Sequence, residues 1–136
     1  MKLALTILTA VVLMGVPMGE AADAVTDLRP VIKQAAEANG VDPVLMEAII
    51  RLESGHATSR AARTKNNLAG IMGRKGQRRY ESKEACVHDL GRILGNYRDK
   101  GRVTVEQIGR HYCTSSRMWT REVNAQIRLI RSGRYD

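Results

Sequence analysis

Downstream of residue 24 the apolar residues recur at the three-to-four spacing of a helix face, and no stretch alternates as a half-buried strand does. Leu28, Ile32, Ala35 and Ala36 share one face, and Asn39-Gly40 closes that helix with residues that tolerate positive φ. Asp42-Pro43 reopens the chain with an N-cap acceptor followed by proline at the first helical position. Leu45, Ile49 and Leu52 line the second helix, which stops at Ser54-Gly55. Ser82 opens a third, carrying Cys86, Leu90, Ile93 and Tyr97, and Thr104 to Gln107 reads as a capping box for a short fourth. Ser115 or Ser116 opens the last, where Trp119, Val123, Ile127 and Ile130 form an apolar stripe that marks Trp119 as core. No internal repeat is present. The expected class is all-α, with room for one small β-hairpin around Gly73 to Gly76.

The first residues read as an address and not as part of this fold. Lys2 is followed by an apolar run from Leu3 to Val16, then Pro17 and small residues from Gly19 to Ala24. That is the pattern of a secretory signal peptide, with the cut expected after Ala21 to Ala24. The run is too short for the roughly 20 residues of a spanning helix. The expected layout is a signal peptide at 1–24 and one domain at 25–136, exported to the periplasm, cell wall or extracellular space. In that compartment Cys86 and Cys113 either pair or remain buried thiols.

Charge then narrows the partners. The whole chain carries 22 Lys plus Arg against 14 Asp plus Glu, a net +8, and loss of residues 1–24 raises this to about +9. At 43% hydrophobic residues the chain is too apolar for disorder, and two cysteines are too few for a disulfide scaffold or a four-ligand zinc site. Between Gly55 and Glu81 the helical pattern breaks. That stretch holds Arg60, Arg63, Lys65, Arg74, Lys75, Arg78 and Arg79 and no acid. It reads as a basic loop facing an anionic wall or envelope surface. No recognition motif points to nucleic acid. No cofactor or metal is expected, and the domain is expected to act as a monomer.

Glu53 is where chemistry is expected. It sits in the last turn of an apolar helix, where the helix dipole disfavours a carboxylate, and burial against Leu52 or Ile49 adds to that. A carboxyl still protonated near neutral pH is what cleavage of a glycosidic bond requires, because the leaving oxygen must receive a proton.

Four short words surround it in order: Glu53-Ser54-Gly55, Asn66 to Met72 (Asn-Asn-Leu-Ala-Gly-Ile-Met), Tyr80 to Ala85 (Tyr-Glu-Ser-Lys-Glu-Ala), and Tyr112-Cys113-Thr114 with Trp119. Together they resemble the bacterial glucosaminidase domain of peptidoglycan hydrolases, the family of the flagellar rod-cap muralytic domain and many autolysins. The resemblance spans about residues 28–131. It implies an α-rich, lysozyme-like fold with a small β-lobe and cleavage of the glycan strand after N-acetylglucosamine. It puts Glu53 at the general-acid position and Tyr112 at the tyrosine held near that acid. It places Asn67 and Gly70 in the turn lining the cleft, and Tyr80 and Asp89 around the third helix. His56 and Ala69 stand where the family often has Trp and Phe, so His56 takes a substrate-facing position without the usual stacking ring. Cys86 stands where the family often has Ser.

For a second carboxylate the basic loop offers nothing, and Glu81 is the best choice; Glu84 and Asp89 read as helix residues. Single-acid routes use the substrate's N-acetyl group or the muramic 6-hydroxyl. The latter is the route of lytic transglycosylases, whose usual Gly-Leu-Met-Gln turn is here Ala-Gly-Ile-Met-Gly. The expected activity is therefore an endo-β-N-acetylglucosaminidase; the alternatives are transglycosylase-type cleavage giving anhydromuramic ends, or a non-catalytic wall-binding or assembly protein of the same fold.

Overall fold

The structure, a computed structural model, describes residues 23–136. The export segment therefore lies outside the described residues except for Asp23 and Ala24. Six α-helices follow a 3-10 turn at Thr26–Leu28: α1 (Arg29–Asn39), α2 (Pro43–Ser54), α3 (Arg60–Lys65), α4 (Lys83–Asp99), α5 (Val105–Tyr112) and α6 (Ser116–Arg131). A two-stranded antiparallel hairpin, β1 (Met72–Gly73) with β2 (Gly76–Gln77), pairs Met72 with Gln77 and Gly73 with Gly76. The fold is the expected α-rich one with a very small β-lobe.

The expected caps set the helix ends. Asp42 Oδ1 accepts from Val44 N at 2.8 Å, Ser82 Oγ from Ala85 N at 3.0 Å, and Thr104 and Gln107 form the reciprocal capping box. Gly40, at φ +63°, ends α1. Ser115 precedes α6 but makes no side-chain cap bond. One expectation needs correction: the 55–81 stretch is not all loop. Ser59 Oγ accepts from Ala62 N at 3.1 Å and starts α3, which is too short for an apolar period to show.

Helix α2 is the axis of the fold. Its Met46, Ala48, Ile49 and Ile50 are fully buried, so it is covered on nearly all sides and not on one face. It packs against α1 and α6, while α1 crosses α4 and α5 lies on α6. The α1–α4 crossing is close because α4 carries glycine: a Cβ on Gly91 would stand 3.1 Å from the Ala35 carbonyl oxygen. Both cysteines are free thiols in the structure. Cys86 is buried, accepts from Leu68 N at 3.3 Å, and burial pushes its thiol up to about 11.

The inside of α2 also holds charge, which the apolar pattern concealed. Arg51 is fully buried, one helical turn from buried Glu47; its Nη2 lies 2.9 Å from Glu47 Oε1 and its Nη1 2.5 Å from Asp23 Oδ2. Arg29 reaches the same Glu47 at 3.0 Å. The Arg51 guanidinium lies 3.6 Å from the ring centroid of Tyr135, whose carbonyl accepts from Thr26 Oγ1. Both ends of the described chain are thus tied to one buried arginine.

Candidate active site

Glu53 leaves α2 in its last turn, half-buried. Trp119 Nε1 donates to its Oε1 at 2.6 Å from α6. The other oxygen faces Gly70, where a Cβ would stand 3.0 Å from Oε2; Gly70 also holds φ +65°, so the position excludes side chains on two grounds. Burial raises the Glu53 carboxyl above the ordinary carboxylate range; the Trp119 N–H opposes this and the charge of Glu122 reinforces it. The result is a carboxyl biased toward keeping its proton, with one oxygen held and the other against a bare glycine.

The turn that presents Gly70 is built by Asn67, which is buried and spends its whole amide on backbone. Its Nδ2 donates to the carbonyls of Ile71 and Arg78, both at 2.9 Å, while its Oδ1 accepts from Ala69 N and Ile71 N. Tyr112 holds the same turn from α5: its hydroxyl donates to the Ala69 carbonyl, and its ring stacks on Trp119 with centroids 5.3 Å apart. Burial keeps that phenol protonated, its pKa well above the usual value. Tyr112 therefore touches Trp119 and the Gly70 turn, the two groups that flank Glu53.

Two cavities are lined by these residues. One, of about 250 Å³, is lined by Glu53, Leu52, Cys113, Met118, Trp119 and Glu122. Another, of about 390 Å³, is lined by Gly70 and Tyr112. The fold thus brings Glu53, the Asn67–Gly70 turn and Tyr112 together from three separate segments.

The remaining expected residues fall elsewhere. His56 joins the Arg51 cluster: its Nδ1 lies 3.1 Å from Arg51 Nη1 and its ring 5.5 Å from that of Tyr135. Burial and the Arg51 charge both lower its pKa, so the ring is neutral and accepts at Nδ1. Tyr80 donates its hydroxyl to Asp89 Oδ2 at 2.5 Å, and its backbone is bonded to Lys65 and Asn66, a bracing role beside the hairpin. Glu81 is exposed before α4 and lines neither cavity. Trp119 is buried, as its apolar stripe implied, and also touches the acid. Glu122 was missed; the signal for it was its place one turn after Trp119, on the same side of α6. Among the described residues no group of His, Cys, Asp and Glu is placed to hold a metal ion.

A family model described as glucosaminidase, mannosyl-glycoprotein endo-β-N-acetylglucosaminidase, matches residues 29–133. The chain belongs to the glucosaminidase family. No curated protein matches it. The match runs from the start of α1 to just past α6, so the six helices and the hairpin lie within the glucosaminidase domain. Membership supports a glycoside hydrolase acting on peptidoglycan.

Proposed function

We propose that this protein is an exported endo-β-N-acetylglucosaminidase of peptidoglycan and that Glu53 is its general acid. The observation that carries the proposal is the setting of that carboxyl: half-buried, its pKa raised, one oxygen held by Trp119 and the other facing Gly70. Glu53 gives its proton to the glycosidic oxygen as the bond to the sugar breaks. Positive charge builds on the ring, and Glu122, on the wall of the same cavity, supplies negative charge there; a solvent water then adds to the anomeric carbon and returns a proton to the Glu53 carboxylate. Asn67 and Tyr112 act on the turn and on Trp119, keeping the acid in position.

The pH profile tests this role. Activity needs protonated Glu53, so it falls as pH rises through the Glu53 pKa. Trp119→Phe removes a donor that favours the carboxylate; the pKa rises and the falling limb moves to higher pH. Glu122→Gln removes a like charge; the pKa drops and the limb moves to lower pH. Opposite displacements in kcat profiles are expected, and unmoved limbs, or limbs moved together, would remove Glu53 as the titrating acid.

The basic side of the domain carries wall attachment. Arg74 and Lys75 are exposed between the two strands, while Arg79 is bonded to the Thr64 carbonyl. Neutralising Arg74 and Lys75 to Gln is expected to weaken sedimentation with purified walls at about 0.1 M salt. Near 1 M salt, where charges are screened beyond roughly 3 Å, wild type and variant should bind alike. Salt-insensitive binding would show that attachment is not electrostatic.

A further inference from the structure

The larger cavity begins where the acid site ends, sharing with it Gly70, which faces Glu53 Oε2, and Tyr112, which stacks on Trp119. A glycan strand with its scissile bond at Glu53 would reach this space by passing Gly70. Arg78 enters it from just after β2, and Arg92 from α4. Tyr97 and His111, with ring centroids 6.1 Å apart, form another part of its wall. Among the described residues no acid lines the cavity.

The two arginines are held close together by one carboxylate behind them. Asp89 Oδ2 accepts from Arg78 Nη1 at 2.8 Å, and Asp89 Oδ1 lies 2.5 Å from Arg92 Nη2. Asp89 is largely covered, at 13% side-chain exposure, whereas Arg78 and Arg92 are 43% and 57% exposed. One negative charge against two positive ones leaves the pair with an excess of one, directed at a wall without acids. Tyr80 completes the cluster from the same side by donating to Asp89. A guanidinium has five N–H donors, and these contacts leave several on each arginine.

We infer that Arg78 and Arg92 form a subsite for a carboxylate of the glycan strand, next to the cleaved bond. This rests on the reading of the protein as a peptidoglycan glucosaminidase. In a strand that alternates N-acetylglucosamine with N-acetylmuramic acid, the ring beside the cleaved sugar carries a lactyl group. Its carboxyl is free where the peptide has been removed, and where the peptide remains the carboxylates are those of the stem. Both present the same chemistry to two converging guanidiniums. The subsite would favour peptidoglycan over an uncharged N-acetylglucosamine polymer.

Binding is measured with the mature protein carrying Glu53→Gln, so that turnover does not interfere. The probes are stem-free glycan strands, stem-bearing strands, and each of these with its carboxyls converted to amides. Carboxylate-bearing strands should bind about tenfold or more tightly than their amides. In Arg78→Gln/Arg92→Gln that ratio should fall to near one, whereas in Arg60→Gln/Arg63→Gln, equal in charge lost but on α3, it should persist. Preference for native stem-free strands assigns the lactyl carboxylate, and preference confined to stem-bearing strands assigns the peptide. No preference in the parent protein, a preference surviving loss of both arginines, or equal loss in the α3 pair overturns the subsite. Cleavage retained by Glu53→Gln would instead overturn the catalytic reading, and the binding ratio would then be read from the initial association phase, before strands are cut.

Discussion

Glu53→Gln is expected to lower the rate of wall digestion by roughly 10²–10⁴-fold, the usual contribution of a positioned general acid. The substitution is nearly isosteric, and the Gln carbonyl oxygen can still accept from Trp119 Nε1, now 2.6 Å from Glu53 Oε1. What is lost is the proton. The contacts that shape the site, Tyr112 on the Ala69 carbonyl and Asn67 within its turn, do not involve Glu53, so helical content and thermal unfolding should be unchanged. The loss should appear in kcat and not in affinity for walls. Full activity in a folded Glu53→Gln protein would remove this carboxyl from the chemistry.

The largest effect on stability is expected two residues before Glu53, on another face of α2, at Arg51. Its side chain is fully buried and stands between Glu47 and Asp23 with Tyr135 over its face. Arg51→Ala would leave Glu47 facing only Arg29 and Asp23 without its guanidinium. Breaking a buried pair by removing one partner costs about 3–5 kcal/mol. That is a large share of the roughly 5–15 kcal/mol that holds a small domain together. Denaturant unfolding should show the midpoint falling with little change in slope, while Arg63→Ala, on an exposed position of α3, stays within about 0.5 kcal/mol of wild type. A loss for Arg51→Ala no larger than for Arg63→Ala would contradict the structural role given to the cluster. The cluster also carries a pH signature. Burial pushes the Asp23 carboxyl up, but its hydrogen bonds and the charge of Arg51 outweigh this and lower its pKa. In protein that retains Asp23, cut before it and not after Ala24, its stabilisation is therefore present above about pH 4 and is lost as pH falls through the lowered value.

Much of this architecture was legible in the sequence because local physics dictates it. Asp42-Pro43, Ser82 and the Thr104–Gln107 box mark helix starts through bonds made within four residues, and Asn39-Gly40 marks an end. Helix α3 escaped because six residues give no apolar period. The site divides the same way. Glu53 could be read from its place at an apolar helix end, and Gly70 from its turn, yet Gly70 proves to matter through an oxygen 17 residues earlier in the chain. Trp119 reads as core, and is core, but its indole N–H has a partner no spacing reveals. Glu122 lines the acid's cavity only because α6 lies along α2. His56 is turned toward Arg51 by three successive residues with positive φ, Gly55, His56 and Ala57, the last two of types that seldom adopt it. The Arg51–Glu47 pair is an ordinary i,i+4 pattern on paper. Only the burial of α2 on nearly all sides makes it an internal one.

The most direct test is mass spectrometry of the glycan ends released when the protein and its Glu53→Gln variant digest purified peptidoglycan. The account predicts new reducing N-acetylglucosamine ends with the wild-type protein and almost none with the variant. Anhydromuramic ends would make the enzyme a transglycosylase, and an absence of new ends with wild type would leave a wall-binding protein of the same fold; either result would contradict it.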